Sequence, residues 1–238
     1  MTINRELLLS CASKFNITLD EAAVERFDIY ARLLTEKNKV MNLTAIVEPD
    51  EIVVKHFGDS LSLFSVISPK KGESFIDVGT GAGFPGVAFL IARPDLKVTL
   101  IDSTNKKLEF IRSLCCELGL MPEIIHARAE EAGMDERLRE SFDYAAARAV
   151  ANLRNLCEYC LPFVKRSGVF IAMKGAKAED EIFEASSAVK LLGGKIEEKK
   201  KFNLYDTGER NLILIRKISQ TPPKYPRPAA QIAKRPLE

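Results

Sequence analysis

Residues 77–86, Asp77-Val78-Gly79-Thr80-Gly81-Ala82-Gly83-Phe84-Pro85-Gly86, place four glycines directly after a short apolar run. Glycine there lets the backbone turn sharply and approach a ligand closely. Gly81-x-Gly83-x-x-Gly86 matches a dinucleotide fingerprint, although a tight turn with no ligand would use the same residues. No Gly-Lys-Ser/Thr ending follows, so a P-loop is excluded. Asp102 closes the next apolar run, where an acid can accept hydrogen bonds from a ribose diol. Asp77 stands just before the first glycine. A carboxylate there suits a ligand with an ammonium group and repels a pyrophosphate, which favours S-adenosylmethionine over NAD. Ala129-Glu130-Glu131 offers backbone and carboxylate groups at the edge of the same crevice; an exposed helix start is the equal alternative for both acids.

Elements that could hold these residues follow from hydrophobic patterning. Strands are expected at 74–78, 97–101, 123–126, 142–147, 168–173, 196–200 and 212–215, with helices at 84–93, 106–118, up to 161, and 179–192. Such alternation implies right-handed crossovers and a mostly parallel α/β sheet covered on both faces. Residues 1–68 lack a convincing strand. Phe27, Tyr30, Ala31 and Leu34 recur at helical spacing, Asp20 is a suitable N-cap, and Pro49-Asp50 opens another helix. The chain therefore divides into a helical segment (1–68), a cofactor-binding α/β domain (69–218) and a basic, proline-rich tail (219–238). Five of the eleven prolines fall in that tail, which the pattern predicts to be extended.

The run Phe75 to Gly86 looks like the cofactor motif of class I methyltransferases. With Asn42-Leu43-Thr44 and His56-Phe57-Gly58-Asp59-Ser60-Leu61 upstream, the chain resembles one family closely. That family is the bacterial 16S rRNA guanine-N7 methyltransferases of the RsmG, or glucose-inhibited division protein B, type. The resemblance spans about 38 to 217. It implies a Rossmann-like sheet with an antiparallel last strand after N-terminal helices, S-adenosylmethionine as cofactor, and methyl transfer to a small-subunit guanine. It also sets Gly79, Phe84, Ala129, Glu130 and Arg148 on cofactor-contacting positions, beside the Asp77, Gly81, Gly83 and Asp102 of the loop argument. The expected partner is 16S rRNA or the small ribosomal subunit, with no membrane, and the protein is expected to be a cytoplasmic monomer.

Guanine N7 carries a free lone pair, so a general base is dispensable, and alignment alone can contribute about 7–11 kcal/mol. The residues agree. Ala146-Ala147-Arg148-Ala149-Val150 replaces the Asn/Asp-Pro-Pro-aromatic cluster of amino-methylating enzymes, and no Pro-Cys dipeptide supplies a cytosine-C5 nucleophile. Arg148 is suited to grip a carboxylate, a guanine O6 or a phosphate; an ion pair with Asp143 or another acid is its structural alternative. His56 and Asp59 share a helix face and either position the target base or pair with each other. Asn42, Thr44 and Lys174 are candidate RNA contacts, against local turn bonding and ordinary solvation. Lys224, Arg227, Lys234 and Arg235 of the tail are further candidates.

The 35 Lys+Arg and 33 Asp+Glu nearly cancel, which excludes a uniformly basic coat for nucleic acid. The tail carries +3 (four cations less Glu238), leaving −1 for the rest of the +2 total. Cys11, Cys115, Cys116, Cys157 and Cys160 sit in apolar contexts and read as buried thiols of a reducing compartment. Cys157-x-x-Cys160 lacks a second pair, so no metal site is expected. A dinucleotide-dependent oxidoreductase and a non-catalytic ribosome-binding module remain as alternatives.

Overall fold

The computed structural model describes residues 2–148, 151–205 and 208–238; Ala149 and Val150 of the sequence argument lie outside the described residues. The helical segment contains α1 (Arg5–Ser13) and α2 (Glu21–Met41). A continuous helical stretch follows, made of α3 (Pro49–Ile52), a π-helical turn (Val53–Gly58), α4 (Asp59–Leu61) and a 3-10 turn (Ser62–Ser65). Asp20 caps α2, its Oδ1 accepting from Ala23 N at 2.8 Å, and Asn42 ends it in the left-handed region.

The strands are β1 (Ser74–Val78), β2 (Lys97–Asp102), β3 (Glu123–His126), β4 (Phe142–Arg148), β5 (Val164–Lys174), β6 (Gly194–Asn203) and β7 (Glu209–Lys217). Between and after them lie α5 (Gly86–Ala92), α6 (Asn105–Leu118), α7 (Ala129–Ala132), α8 (Leu153–Cys160), α9 (Ala178–Leu191) and α10 (Ala229–Lys234). The sheet order is β3-β2-β1-β4-β5-β7-β6. All pairings from β3 to β5 are parallel, and β7 runs antiparallel to both β5 and β6. The chain leaves β1 toward β2 and β3 on one side and returns beyond β1 with β4, so the switch point lies between β1 and β4, where open α/β sheets bind ligands.

Side chains alternate across the sheet with period two, and both faces are buried. Phe75, Leu100, Ala146 and Ile171 join a core with α1, α2, α5 and α6. Ile76, Ile101, Ala145 and Phe170 join a second core with α8 and α9. The helices of residues 1–68 thus share a continuous core with one sheet face.

The tail is not the extended strip that its prolines suggested. Tyr225 and Leu237 are buried in the second core, and Ile232 is fully buried. Arg139 donates to the carbonyls of Gly133, Thr221 and Tyr225 at 2.8–2.9 Å. Arg227 forms a forked pair with the buried carboxylate of Glu158, at 2.8 and 2.7 Å. Buried Lys217 donates to Thr221 Oγ1 at 2.7 Å and pairs with Glu140. These polar clamps and apolar anchors outweigh the extended preference of proline. The cysteines also differ from expectation at one position: all five are free, but Cys116 is exposed. No helix among the described residues is long and apolar enough to cross a membrane.

Candidate functional site

The glycine loop is held from below. Gly79 N and Thr80 N both donate to Ile101 O, at 2.9 and 3.0 Å, tying the end of β1 to β2. Asp77 is fully buried, and its Oδ2 accepts from Thr80 Oγ1 at 2.7 Å and Gly86 N at 2.8 Å. Its Oδ1 is buried with no partner among the described residues. Burial raises the Asp77 carboxyl to about 6 despite these hydrogen bonds. A Cβ on Gly86 would lie 2.8 Å from Asp77 Oδ2, so the glycine is what admits the carboxylate beneath the loop. Asp77 therefore lies under the turn and not in the crevice wall, where the sequence argument had placed it.

Above the loop, at the C-terminal ends of β1, β2, β3 and β4, opens a crevice of about 590 Å³. Gly79, Gly81, Asp102, Ala129, Glu130 and Arg148 line it, as do Ser103, Arg128, Tyr159 of α8, Leu43 beyond α2 and Ala229 of α10. Gly83 and Phe84 do not. Gly83, at φ +102°, leaves room for Tyr30, whose hydroxyl donates to Ala82 O at 2.7 Å and would lie 2.5 Å from an added Cβ. The Phe84 ring stacks on Tyr30 and on His56, with centroids 4.9 and 4.4 Å apart.

Asp102 organises the crevice before any ligand does. Its Oδ2 accepts from Gly81 N at 2.9 Å and its Oδ1 from Thr104 N at 2.8 Å, and each oxygen retains a further lone pair. Glu130 is buried, with no hydrogen bond or ion pair to another described residue, while Glu131 is exposed. Gly81 supplies a cradle: at φ +61°, a Cβ there would meet nothing nearer than Gly79 O at 3.9 Å. Volume, bare backbone and two buried carboxylates suit a nucleoside-type ligand bearing positive charge.

A second cavity, of about 310 Å³, lies between the 49–65 helical stretch and the ends of β4, β5, β6 and β7. Arg148 lines both spaces. Its guanidinium donates to Asp59 Oδ2 at 3.1 Å, His56 Nδ1 at 3.2 Å and Lys55 O at 3.3 Å, and lies over Phe84, 4.9 Å from the ring centroid. The acid that pairs with Arg148 is thus Asp59; Asp143 instead pairs with Lys165. His56 and Asp59 do share a face, but both turn to Arg148 and not to each other.

A guanidinium only donates, so His56 Nδ1 accepts and Nε2 carries the proton, facing Thr44 Oγ1 at 2.8 Å. Burial, reinforced by the positive charge of Arg148, lowers His56 to about 3. Asp59 Oδ1 also lies 3.5 Å from Arg210 Nε. Sequence reasoning did not single out Arg210, Asn211 or Phe202, which complete the wall. Asn211 carried a signal, as a polar residue directly before the buried run Leu212–Ile215.

The proposed RNA contacts separate. Asn42 serves as the α2 C-cap, and Thr44 closes a turn with Asn38 through hydrogen bonds of 2.8 and 2.9 Å. The Lys174 side chain is 8% exposed and its ammonium is bound to Glu181 at 2.7 Å and Ala151 O at 2.5 Å. Arg227 is spent on Glu158, whereas Lys224, Lys234 and Arg235 are exposed. Among the described residues no cluster of His, Cys, Asp and Glu is placed to hold a metal ion.

Residues 23–213 match the family model described as rRNA small subunit methyltransferase G. The chain is 48% identical to Ribosomal RNA small subunit methyltransferase G of Acetivibrio thermocellus over 98% of this chain and 96% of that one. It is 46% identical to the protein of the same name from Pelotomaculum thermopropionicum over the whole of both chains. Among solved structures, the 16S rRNA (adenine(1408)-N(1))-methyltransferase of Catenulisporales acidiphilia shares the fold at a TM-score of 0.51. It is 13% identical and covers 63% of this chain and 87% of its own.

Proposed function

The chain belongs to the rRNA small subunit methyltransferase G family, and on that premise we propose that it transfers a methyl group to N7 of a guanine in 16S ribosomal RNA. S-adenosylmethionine, the cofactor, supplies an electrophilic sulfonium methyl when bound. The 590 Å³ crevice is the place for it. There the backbone of Gly79 and Gly81 would form the floor, Asp102 would accept from ribose hydroxyls, Ala129 and Glu130 would border the base, and Arg148 would face the ligand carboxylate. Asp77, beneath the loop, holds Thr80 and Gly86 in register for this floor.

The observation that carries N7 is the condition of the two side chains that would otherwise take a proton. His56 Nδ1 and Asp59 Oδ2 both accept from Arg148, and the imidazole is lowered to about 3. Neither is poised as a general base, so the site suits a nucleophile that already presents a lone pair. The chain's contribution is then alignment of two reactants across Arg148 and exclusion of water. Incubating small subunits from a strain lacking the modification with labelled S-adenosylmethionine should place label on N7 of one guanine. Label on an exocyclic amine or a ribose oxygen would overturn the N7 reading, and absence of label would overturn methyl transfer itself.

A further inference from the structure

The cofactor crevice is not walled by strand ends alone. α7, α8 and α10 supply Ala129, Glu130, Tyr159 and Ala229 to it, and α8 packs against both of the other helices. Burial, and after it the negative charge of Glu130, raise the Tyr159 hydroxyl, so Tyr159 stands close to the acid assigned to the base. The tail segment that delivers Ala229 also grips α7 and α8. Arg227 N and Nε donate to Oε1 of Glu158 at 2.8 Å each, and its Nη2 donates to Oε2 at 2.7 Å. Glu158 is 1% exposed and directly precedes Tyr159. Nη1 of Arg139 donates both to Gly133 O, just past α7, and to Tyr225 O of the tail, at 2.9 and 2.8 Å. Pro226 rests on Gly133, where a Cβ would lie 3.0 Å from the proline ring. Ile232 of α10 is fully buried.

From this we infer that the tail is a clasp on the cofactor, latched by Arg227 on Glu158, and that Arg227 is a positioning residue for S-adenosylmethionine. The inference rests on the crevice being the place for that cofactor. Arg227 does not line the crevice; it acts through the elements that do. Removing one member of a buried pair leaves the other charge uncompensated, so the latch is strong while both are present. With the latch closed, Ala229 completes the wall, and the helices carrying Ala129, Glu130 and Tyr159 are tied to one segment. With it open, the wall loses Ala229, and α8 loses its tie to the tail beside Tyr159. A supporting shell of this kind sets how well the groups in front of it meet a ligand. Linkage makes the effect reciprocal: whatever factor docking of the tail adds to cofactor affinity, bound cofactor adds to docking of the tail.

The test is amide hydrogen exchange on the native protein, with and without saturating S-adenosylmethionine. The amides of Ile232 and Arg235, which donate to Pro228 O and Gln231 O, report on the tail, and that of Gly81 reports on the glycine loop. Both should slow with cofactor, the tail amides about tenfold. Arg227→Ala should raise the calorimetric Kd for S-adenosylmethionine by the same factor, about tenfold, and its KM likewise, with the cost absent from kcat at saturating cofactor. Arg227→Lys, which keeps the cation without the fork, should recover part of that loss. A pair that served stability alone would lower resistance to denaturant and move neither Kd nor the effect of cofactor on exchange. Slowing at Gly81 without slowing in the tail would overturn the clasp and leave the crevice as the cofactor's place. Slowing at neither would overturn both. Because exchange is read on the native chain, it decides the question even if Arg227→Ala does not fold.

Discussion

The crevice takes most of its wall from turns that directly follow β1, β2, β3 and β4, whereas the smaller cavity draws on the 49–65 helical stretch, β5, β6 and β7. Parallel strands that end together deliver the residues after them to one place, so crevice chemistry needs no long-range coincidence. The second cavity depends on one. Arg210 reaches Asp59 only because β7 runs antiparallel beside β5. The first space is thus a property of the topology, and the second a property of this particular chain. A common cofactor can be held by the former.

That contrast can be broken by substitution. Gly83→Ala places a Cβ at φ +102° against the pinned Tyr30 hydroxyl and should cost on the order of 2–4 kcal/mol, with cofactor affinity lost, as read by denaturant unfolding and calorimetry. Arg148→Lys keeps the charge but not the fork that joins His56 to Asp59. We expect kcat/KM to fall about 100-fold, since small misplacements near reacting groups carry losses of that order. If turnover survives that change, the two spaces do not communicate through Arg148.

His56 sharpens the comparison through pH. Its folded value of about 3 lies below the ordinary 6.5, so the unfolded chain binds the proton first. The stability it permits is complete above pH 6.5 and is lost as pH falls from there toward 3. Each unit of that fall should remove about 1.4 kcal/mol. His56→Gln should lack this component, seen as a stability difference between the two proteins that shrinks on acidification in a series of unfolding curves. A constant difference would show that the imidazole keeps its ordinary proton affinity in the fold.

The smallest effect is expected at the tail. Lys224, Lys234 and Arg235 are exposed, while Arg227 is neutralised by Glu158. Replacing the three exposed cations by Gln should flatten the log–log salt dependence of RNA binding by roughly 2, if each meets a phosphate. Cofactor affinity should not move. An unchanged slope would mean that the tail serves only the fold.

Most of the sheet was legible in sequence because buried parallel strands are short apolar runs between helical patterns; Glu123–His126 was bounded to the residue. Asp102, Glu130 and Arg148 were legible for a related reason, each standing at or just after a strand end. Arg210 was not, since its partner Asp59 lies about 150 positions earlier and no local spacing encodes that meeting. The tail failed differently. Its prolines argued for extension, but buried Tyr225 and Leu237 and the Arg227–Glu158 pair, invisible to local preference, fold it onto the body.

Ala229, drawn into the crevice wall by that folded tail, sets an order in time as well as in space. A chain emerging from a ribosome reaches residue 229 only after every strand and every other wall residue has been made. A chain ending before the tail would lack Ala229 in the crevice wall and Tyr225 and Leu237 in the second core, so closure of the crevice is tied to delivery of the tail.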